Sequence, residues 1–442
     1  MRASPQLGFA SGIGLVVANM VGAGVFLSAG FMAQDLGPRA ILIAWVVGLV
    51  LALCGALSYA TLAELIPRSG GEYRYLSELM HPALGYLAGY GSMLLGFSGP
   101  VAIDAIAAAA FLKTLVPGVH IKSVAIVVII AVTVLHAVNL RVSKVGQNAL
   151  VVIKMIIVLL FVAVGLLFGS YEAPSWQPPG NPDGFAWAPF MASLFYIAFA
   201  FSGWNAAVYA AEEFKHPKRD VAKATLVGCL AVGVLYLVVN WIFVANLTPE
   251  SAAVVFSYEE KRITLAHVIA TDLLGGSGGA AMSVMMIIAF VSAASAMTFV
   301  GPRVYAAMAE DGFLPRVLVA RDGQVPVGSV VLQGAIAVVI VLVQPFQHIM
   351  HDVAAILTLF TLLTVLSLFR VRFARRDLPR PSALRLAAAV VYSLLALWMM
   401  YYGFQAKTQL LLWVGVVVGV ALAAYLITEA SRKAKNRSRP SG

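Results

Sequence analysis

Charge is scarce in this chain: Asp, Glu, Lys and Arg make up 11% of its 442 residues, against 61% hydrophobic. A soluble domain carries about a quarter charged residues, so this composition excludes a soluble globular protein. Cysteine is nearly missing as well. Cys54 and Cys229 both fall inside apolar runs, where they read as small buried hydrophobes and not as a disulfide or thiolate metal pair. The histidines show no ligand spacing, and no phosphate loop, nucleophile–base set or pair of carboxylates sits in the apolar runs. Enzyme chemistry, metal and cofactor therefore have nothing to stand on. No ring of repeating polar pore residues suggests a channel. A cleavable leader is not expected either, because the first apolar run is too long and lacks a charged n-region before it.

What the chain has is length in its apolar runs. Twelve are long enough to cross a hydrocarbon core of roughly 30 Å: Gly8–Ala33, Ala40–Ile66, Leu84–Leu112, Ser123–Val138, Ala149–Phe168, Phe185–Ala211, Ala224–Val244, Gly278–Ala309, Val327–Val343, Ala354–Phe369, Leu384–Tyr402 and Leu410–Ile427. The net charge of +10 is distributed as a topology signal, not as a nucleic-acid surface. Arg370, Arg372, Arg375, Arg376, Arg380 and Arg385, with the tail Arg432, Lys433, Lys435, Arg437 and Arg439, place the bias on the side of the N-terminus. By the positive-inside rule both termini are cytoplasmic. The tail also has the composition to touch anionic lipid.

The first run, GIGLVVANMVGAGVF from Gly12 to Phe26, is interrupted by Gly22 and Gly24. Glycine weakens a helix by roughly 1 kcal/mol relative to Ala, and broken backbone survives at membrane depth only inside protein or beside a wet cavity. If the first ten helices form two five-helix repeats, the second must be inserted upside down, and helix 6 should break where helix 1 does. It carries AFAFSGWNAA, with Ser202, Gly203 and Asn205 in mid-span. A polar loop with a Gly-Gly turn is expected from Ile66 to Pro82, and an irregular Pro-rich loop from Tyr171 to Asp183. The long connection from Asn246 to Gly276 holds an amphipathic stretch, Ile263–Leu274, suited to covering an external vestibule. Helices 11 and 12 fall outside the repeat and are expected to be peripheral.

Lys154 lies about ten residues, close to three helical turns, past Lys144. A snorkelling lysine is one reading; a functional intramembrane cation, standing in for sodium against the broken backbone of helix 1, is the other. Asp104 in helix 3 is the second mid-membrane charge, one turn beyond Pro100. It reads as a counter-ion for a cationic substrate, as a proton site, or as an acid satisfied by a neighbouring helix. Phe199, Phe201 and Trp204 are gate or packing aromatics, and their position at the break favours Phe199 as the gate. Ser292, Ser295 and Thr298 in helix 8 are hydroxyls near Lys154 or ordinary packing residues.

Four ordered segments carry a resemblance: NMVGAGVF at Asn19–Phe26, FSGWN at Phe201–Asn205, EEFKHPKRD at Glu212–Asp220 and GPRVYAAMAEDGFLP at Gly301–Pro315. They are similar to the amino acid–polyamine–organocation transporter superfamily, and the likeness runs from Gly8 to Arg370. It implies an all-α membrane protein of twelve helices: two inverted repeats of five in the leucine-transporter-like fold, then two extra helices, with helices 1 and 6 discontinuous. It further implies that a substrate carboxylate meets amides of Gly22, Ala23, Gly24 and Val25. The substrate ammonium meets carbonyls near Asn19 and Met20 and near Phe199 and Ala200. Phe199 matches a gate position, with Trp204 beside it. Asn205 matches a polar position next to the site that is glutamate in the arginine–agmatine antiporter branch, and Gly203 lies in the same break. Lys154 matches a lysine of sodium-independent members. Two departures stand out: Ala23 replaces a common serine, and Asp104 belongs to no pattern of the family.

The expected organisation is repeat one at 1–170, repeat two at 185–370, helices 11–12 at 384–428 and a basic cytoplasmic tail at 429–442. The expected function is sodium-independent secondary transport of small neutral amino acids in the inner membrane, by proton coupling or exchange. The alternatives are a carrier of basic amino acids or polyamines with Asp104 as counter-ion, and a substrate sensor on a transporter fold. The expected partners are a small amino acid and membrane lipid, with no nucleic acid, no cofactor and no metal. Lys113–Lys122 has no cysteine for a disulfide to a heavy subunit, so a monomer or homodimer is expected.

Overall fold

Lipid offers no hydrogen bonds, so a chain this apolar must satisfy its own backbone, and a helix does so within each span. The computed structural model describes residues 7–138, 140–172, 174, 176–179, 185–319, 325–406 and 408–437. Among them the only strand-like pairing is an isolated bridge between Leu7 and Phe214. Among the described residues nine helical spans are long and apolar enough to cross a membrane, and three shorter apolar helices, Trp187–Ala200, Val327–Val343 and Val414–Ala430, fall at the remaining expected spans. The side chains of Lys144 and of the tail cations Arg432, Lys433, Lys435, Arg437 and Arg439 lie outside the described residues, as do Pro182 and Asp183.

The first span is two helices, α1 (Phe9–Met20) and α2 (Ala23–Met32), separated by extended backbone at Val21 and Gly22. The interruption thus lies at 21–22, and Gly24 belongs to the first turn of α2. The second span is α3 (Pro38–Leu65). The segment expected as a plain loop differs: Gly70 and Gly71, with φ of 117° and 55°, turn the chain into the short helix α4 (Gly71–Leu79). Backbone of that hand is what glycine tolerates.

The third span runs through α5 (Pro82–Gly91), a π-helical stretch at Ser92–Phe97 and α6 (Ser98–Leu115). Pro100 explains the wide turn, because its ring has no N–H and clashes with the carbonyl four residues earlier. Ser98 repairs part of the ladder by donating to the Met93 carbonyl at 2.9 Å. The fourth and fifth spans are α7 (Ile121–Val138) and α8 (Leu140–Phe168).

The sixth span breaks like the first, into α9 (Trp187–Ala200) and the short α10 (Ala206–Tyr209) around a turn at residues 201–205. The seventh is α11 (Pro217–Asn246), followed by two short helices, α12 (Pro249–Ser257) and α13 (Glu259–Ile263). Helix α14 (Leu265–Glu310) leaves helical geometry at Gly275, with φ 73°. Its first part is therefore the expected amphipathic stretch, and its second part is the eighth span. The rest is α15 (Val327–Val343), α16 (Phe346–Phe373), α17 (Ala383–Ala406) and α18 (Thr408–Arg437).

Helix α14 packs on α6 and α8, and α11 on α3 and α1, which encloses the broken helices. α17 lies against the bundle by one face, with Leu394, Leu397 and Trp398 exposed on the other. It packs along α3 and α9, and Phe195 of α9 leaves no space for any side chain at Gly403. Small residues in both partners allow that close approach.

The two broken spans press against each other at glycines. A Cβ at Gly24 would lie 2.5 Å from the Ala200 Cα, and one at Gly203, whose φ is 101°, would lie 2.8 Å from the Asn19 carbonyl. Replacement of Gly24 by Val is accordingly expected to overpack the α2–α9 contact and cost about 1–3 kcal/mol, read as a lower melting temperature of the purified protein. Unchanged melting would mean that the two halves do not touch there.

Candidate functional site at two broken helices

A helix ending in mid-span leaves carbonyls unpaired at its C-terminus and amides unpaired at its N-terminus. At the end of α1, the Val17 carbonyl accepts the Val21 N–H at 3.0 Å. The Ala18 carbonyl accepts from Lys154 Nζ of α8 at 2.7 Å. The Met20 carbonyl lies 2.5 Å from the Tyr236 hydroxyl of α11, and that hydroxyl is also 3.0 Å from the Ala200 carbonyl at the end of α9. One tyrosine thus bridges the two breaks. At the start of α2, the Ala23 N–H donates to Asp104 Oδ1 of α6 at 3.0 Å. A cation sits on the negative end of one half-helix and an acid on the positive end of the other, as the helix dipoles favour.

Lys154 and Asp104 are both buried. The snorkelling alternative for Lys154 is set aside by its bond to Ala18, since the ammonium points to backbone inside the protein. Lys154 shares its span with no described partner of opposite charge, yet it is close enough to Asp104 for the two to interact electrostatically. Arg303 of α14, which also falls within an expected span, stands apart from the site and pairs with Glu213 at 2.8 Å.

The remaining expected residues divide. Asn19 donates to the Leu15 carbonyl at 2.8 Å, and its Oδ1 is buried without a partner. Ser28 adds a link between the broken spans, lying 2.5 Å from the Gly24 carbonyl and 3.1 Å from that of Tyr196. Phe199 is buried and does not line the cavity between the breaks, whereas Trp204 lines it and packs edge-on against Tyr59 at 4.7 Å. The two expected gate aromatics therefore face different surroundings. Ser295 does not serve Lys154: it donates to Gln147 at 2.6 Å and meets His136 Nε2 at 2.7 Å. Thr298 turns back on the Ala294 carbonyl, and the Ser292 hydroxyl has no partner.

The cavity is small, about 60 Å³, and is lined by Asn19, Gly203, Trp204, Asn205, Tyr209 and Tyr392 among others. None of its lining residues is Lys, Arg or His. Beyond Asn205 lies a polar cluster that sequence reasoning missed. Glu72 of α4 is buried and accepts from Tyr59 at 2.8 Å, Asn205 at 2.7 Å and Tyr209 at 2.7 Å. Tyr236 was missed too; its only signal is a hydroxyl in the middle of an apolar span.

Two spans broken at membrane depth around a polar cavity, in an all-helical polytopic chain, define the architecture of a secondary transporter. Residues 7–427 match the profile of the amino acid permease family, and the chain belongs to that family. It is similar to the b(0,+)-type amino acid transporter 1 of Mus musculus, 26% identical over 412 residues that cover 89% of this chain and 81% of that protein. The Homo sapiens b(0,+)-type amino acid transporter 1 is 25% identical over 416 residues, with the same two coverages. The Large neutral amino acids transporter small subunit 2 of Homo sapiens is 24% identical over 445 residues, 95% of this chain and 78% of that protein.

Replacement of Tyr236 by Phe keeps the ring packed against Trp45 and Phe201 but strips a donor from two buried carbonyls. Leaving such a group unpaired costs about 1–3 kcal/mol. The expected outcome is a corresponding loss of thermal stability in the absence of ligand. Wild-type melting would show that the hydroxyl does not bridge the breaks.

Proposed function

We propose that the chain is a sodium-independent secondary active transporter of small neutral L-amino acids, working by alternating access with proton coupling or substrate exchange. The observation that carries this reading is the juxtaposition of two open helix ends, at Ala18–Ala23 and Ala200–Asn205, with Lys154 on the Ala18 carbonyl. A zwitterion needs amide ends and carbonyl ends side by side, and half-helices in contact supply both. The substrate-binding set in this proposal is Asn19, Met20, Gly22, Ala23, Gly24, Val25, Phe199, Ala200, Gly203 and Asn205, with Phe199 closing the site. An ammonium bound to helix carbonyls performs the electrostatic task of a sodium ion, so Lys154 removes the need for one.

The relatives named for b(0,+)-type and large neutral amino acid transport support an amino acid as the substrate class. That they are transporters also supports a role without bond chemistry. The distribution of Lys and Arg supports an inner-membrane location with both termini cytoplasmic. Repeats at 1–170 and 185–370 fit the matching breaks. Monomer or homodimer assembly without a disulfide-linked subunit fits a Lys113–Lys122 segment free of cysteine. A second reading, transport of basic amino acids or polyamines with Asp104 as counter-ion, is favoured by the burial of that acid beside the α1–α2 break.

In proteoliposomes, uptake of leucine or alanine is expected to persist when sodium is replaced by choline. Lys154→Ala is expected to lower that uptake by about tenfold or more while changing substrate affinity far less. Sodium-dependent uptake would overturn the first statement, and equal loss of uptake and binding would reduce Lys154 to a structural role. Uptake confined to cationic substrates, and lost in Asp104→Asn, would favour the second reading.

A further inference from the structure

The first amide of α2 is already occupied. Ala23 is its first residue, and the one side chain that meets its amide comes from α6, eighty-one positions away. Alanines at 102, 105, 107, 108, 109 and 110 make α6 slender, which lets Asp104 reach the break. The acid is only 4% exposed, and a Cβ at Gly22 would already lie 3.5 Å from its Oδ1. A second carboxyl group cannot use the Ala23 N–H while Asp104 does. If both were ionised, two like charges would share one helix end.

The cavity beside the breaks, to which the end of α1 contributes Asn19, is different. Asn19 Oδ1 is buried, has no hydrogen-bond partner and lines the cavity together with Phe201, Trp204, Tyr209 and Tyr392. Oxygen acceptors and aromatic faces of this kind suit an ammonium group. The absence of any Lys, Arg or His from the lining gives a carboxylate no alternative partner there.

We propose that Asp104 is a resident occupant of the carboxylate subsite and sets substrate specificity by competing with the substrate's own carboxylate for the α2 N-terminus. This inference rests on the transport reading above and refines it. An incoming amino acid gains the Ala23 amide only as Asp104 gives it up. At that amide one carboxyl oxygen is exchanged for another, so the Ala23 N–H adds little net affinity for the substrate carboxylate. A primary amine of the same carbon skeleton leaves Asp104 in place and still presents its ammonium to Asn19 and the aromatic faces. Asp104 thereby makes the protein tolerant of amines that lack the carboxylate, and removing it makes the protein demand one.

The test is a cycle between ligand and protein. Dissociation constants are measured for leucine against 3-methylbutylamine, and for alanine against ethylamine, on purified wild type, Asp104→Ala and Asp104→Asn. In wild type, the amine and amino acid of each pair are expected to agree within about threefold. In Asp104→Ala the preference for the amino acid is expected to rise by about tenfold or more. Asp104→Asn, which keeps a neutral acceptor on Ala23, is expected to fall between them. It carries the test alone if the alanine variant does not fold. The same ratio in all three proteins overturns the inference and leaves the transport reading standing. Binding of neither ligand class to any of the three removes both.

Discussion

Backbone left unpaired in hydrocarbon is the constraint on which the rest of this structure depends. Burying one amide or carbonyl without a partner costs several kcal/mol in a medium that cannot hydrogen-bond. Two spans that stop halfway present several such groups at once. The protein answers with side chains from three other spans: Lys154 of α8 on Ala18, Tyr236 of α11 on Met20 and Ala200, and Asp104 of α6 on Ala23. Lys154 and Asp104 have the sign that the local helix end favours, and Tyr236 supplies a donor to the carbonyl ends. The breaks are therefore stable because the surrounding bundle holds them, and the glycines alone would not make them so.

That arrangement also fixes where the chain can open. Toward the α2 C-terminus the contacts are aromatic: Phe31 stacks on Tyr196 at 5.6 Å, with the Arg262 guanidinium 5.7 Å from the Phe31 ring centre. Toward α10 they are polar, with Glu72 holding Tyr59, Asn205 and Tyr209. Separating the second set would require a buried carboxylate to lose three donors.

How much of this was legible in the sequence follows from the range of each interaction. The breaks were readable because glycine weakens a helix locally, and because an odd-numbered repeat puts the second break in register with the first. Lys154 was readable because a cation among apolar residues stands out without knowledge of its partner. The partner of Asp104 was not, since the bond to Ala23 spans eighty-one residues and depends on how α6 lies against α2. Tyr236 reaches 216 residues back to Met20, and no periodicity encodes that. Glu72 was read as part of a polar loop because nothing in GGEYRY says that α4 folds inward.

Tyr236 shows how such a site is held ready without being locked. Its hydroxyl carries a single proton and lies near two carbonyls, at 2.5 Å from Met20 and 3.0 Å from Ala200. It can donate fully to one of them at a time, so the pair is always short of a donor. In the proposed site a substrate ammonium, with three donors, would satisfy both carbonyls together. The tyrosine is therefore good enough to keep two broken helices in the membrane and poor enough to be improved upon. A residue with a second donor would bind the breaks more tightly and leave a substrate nothing to add.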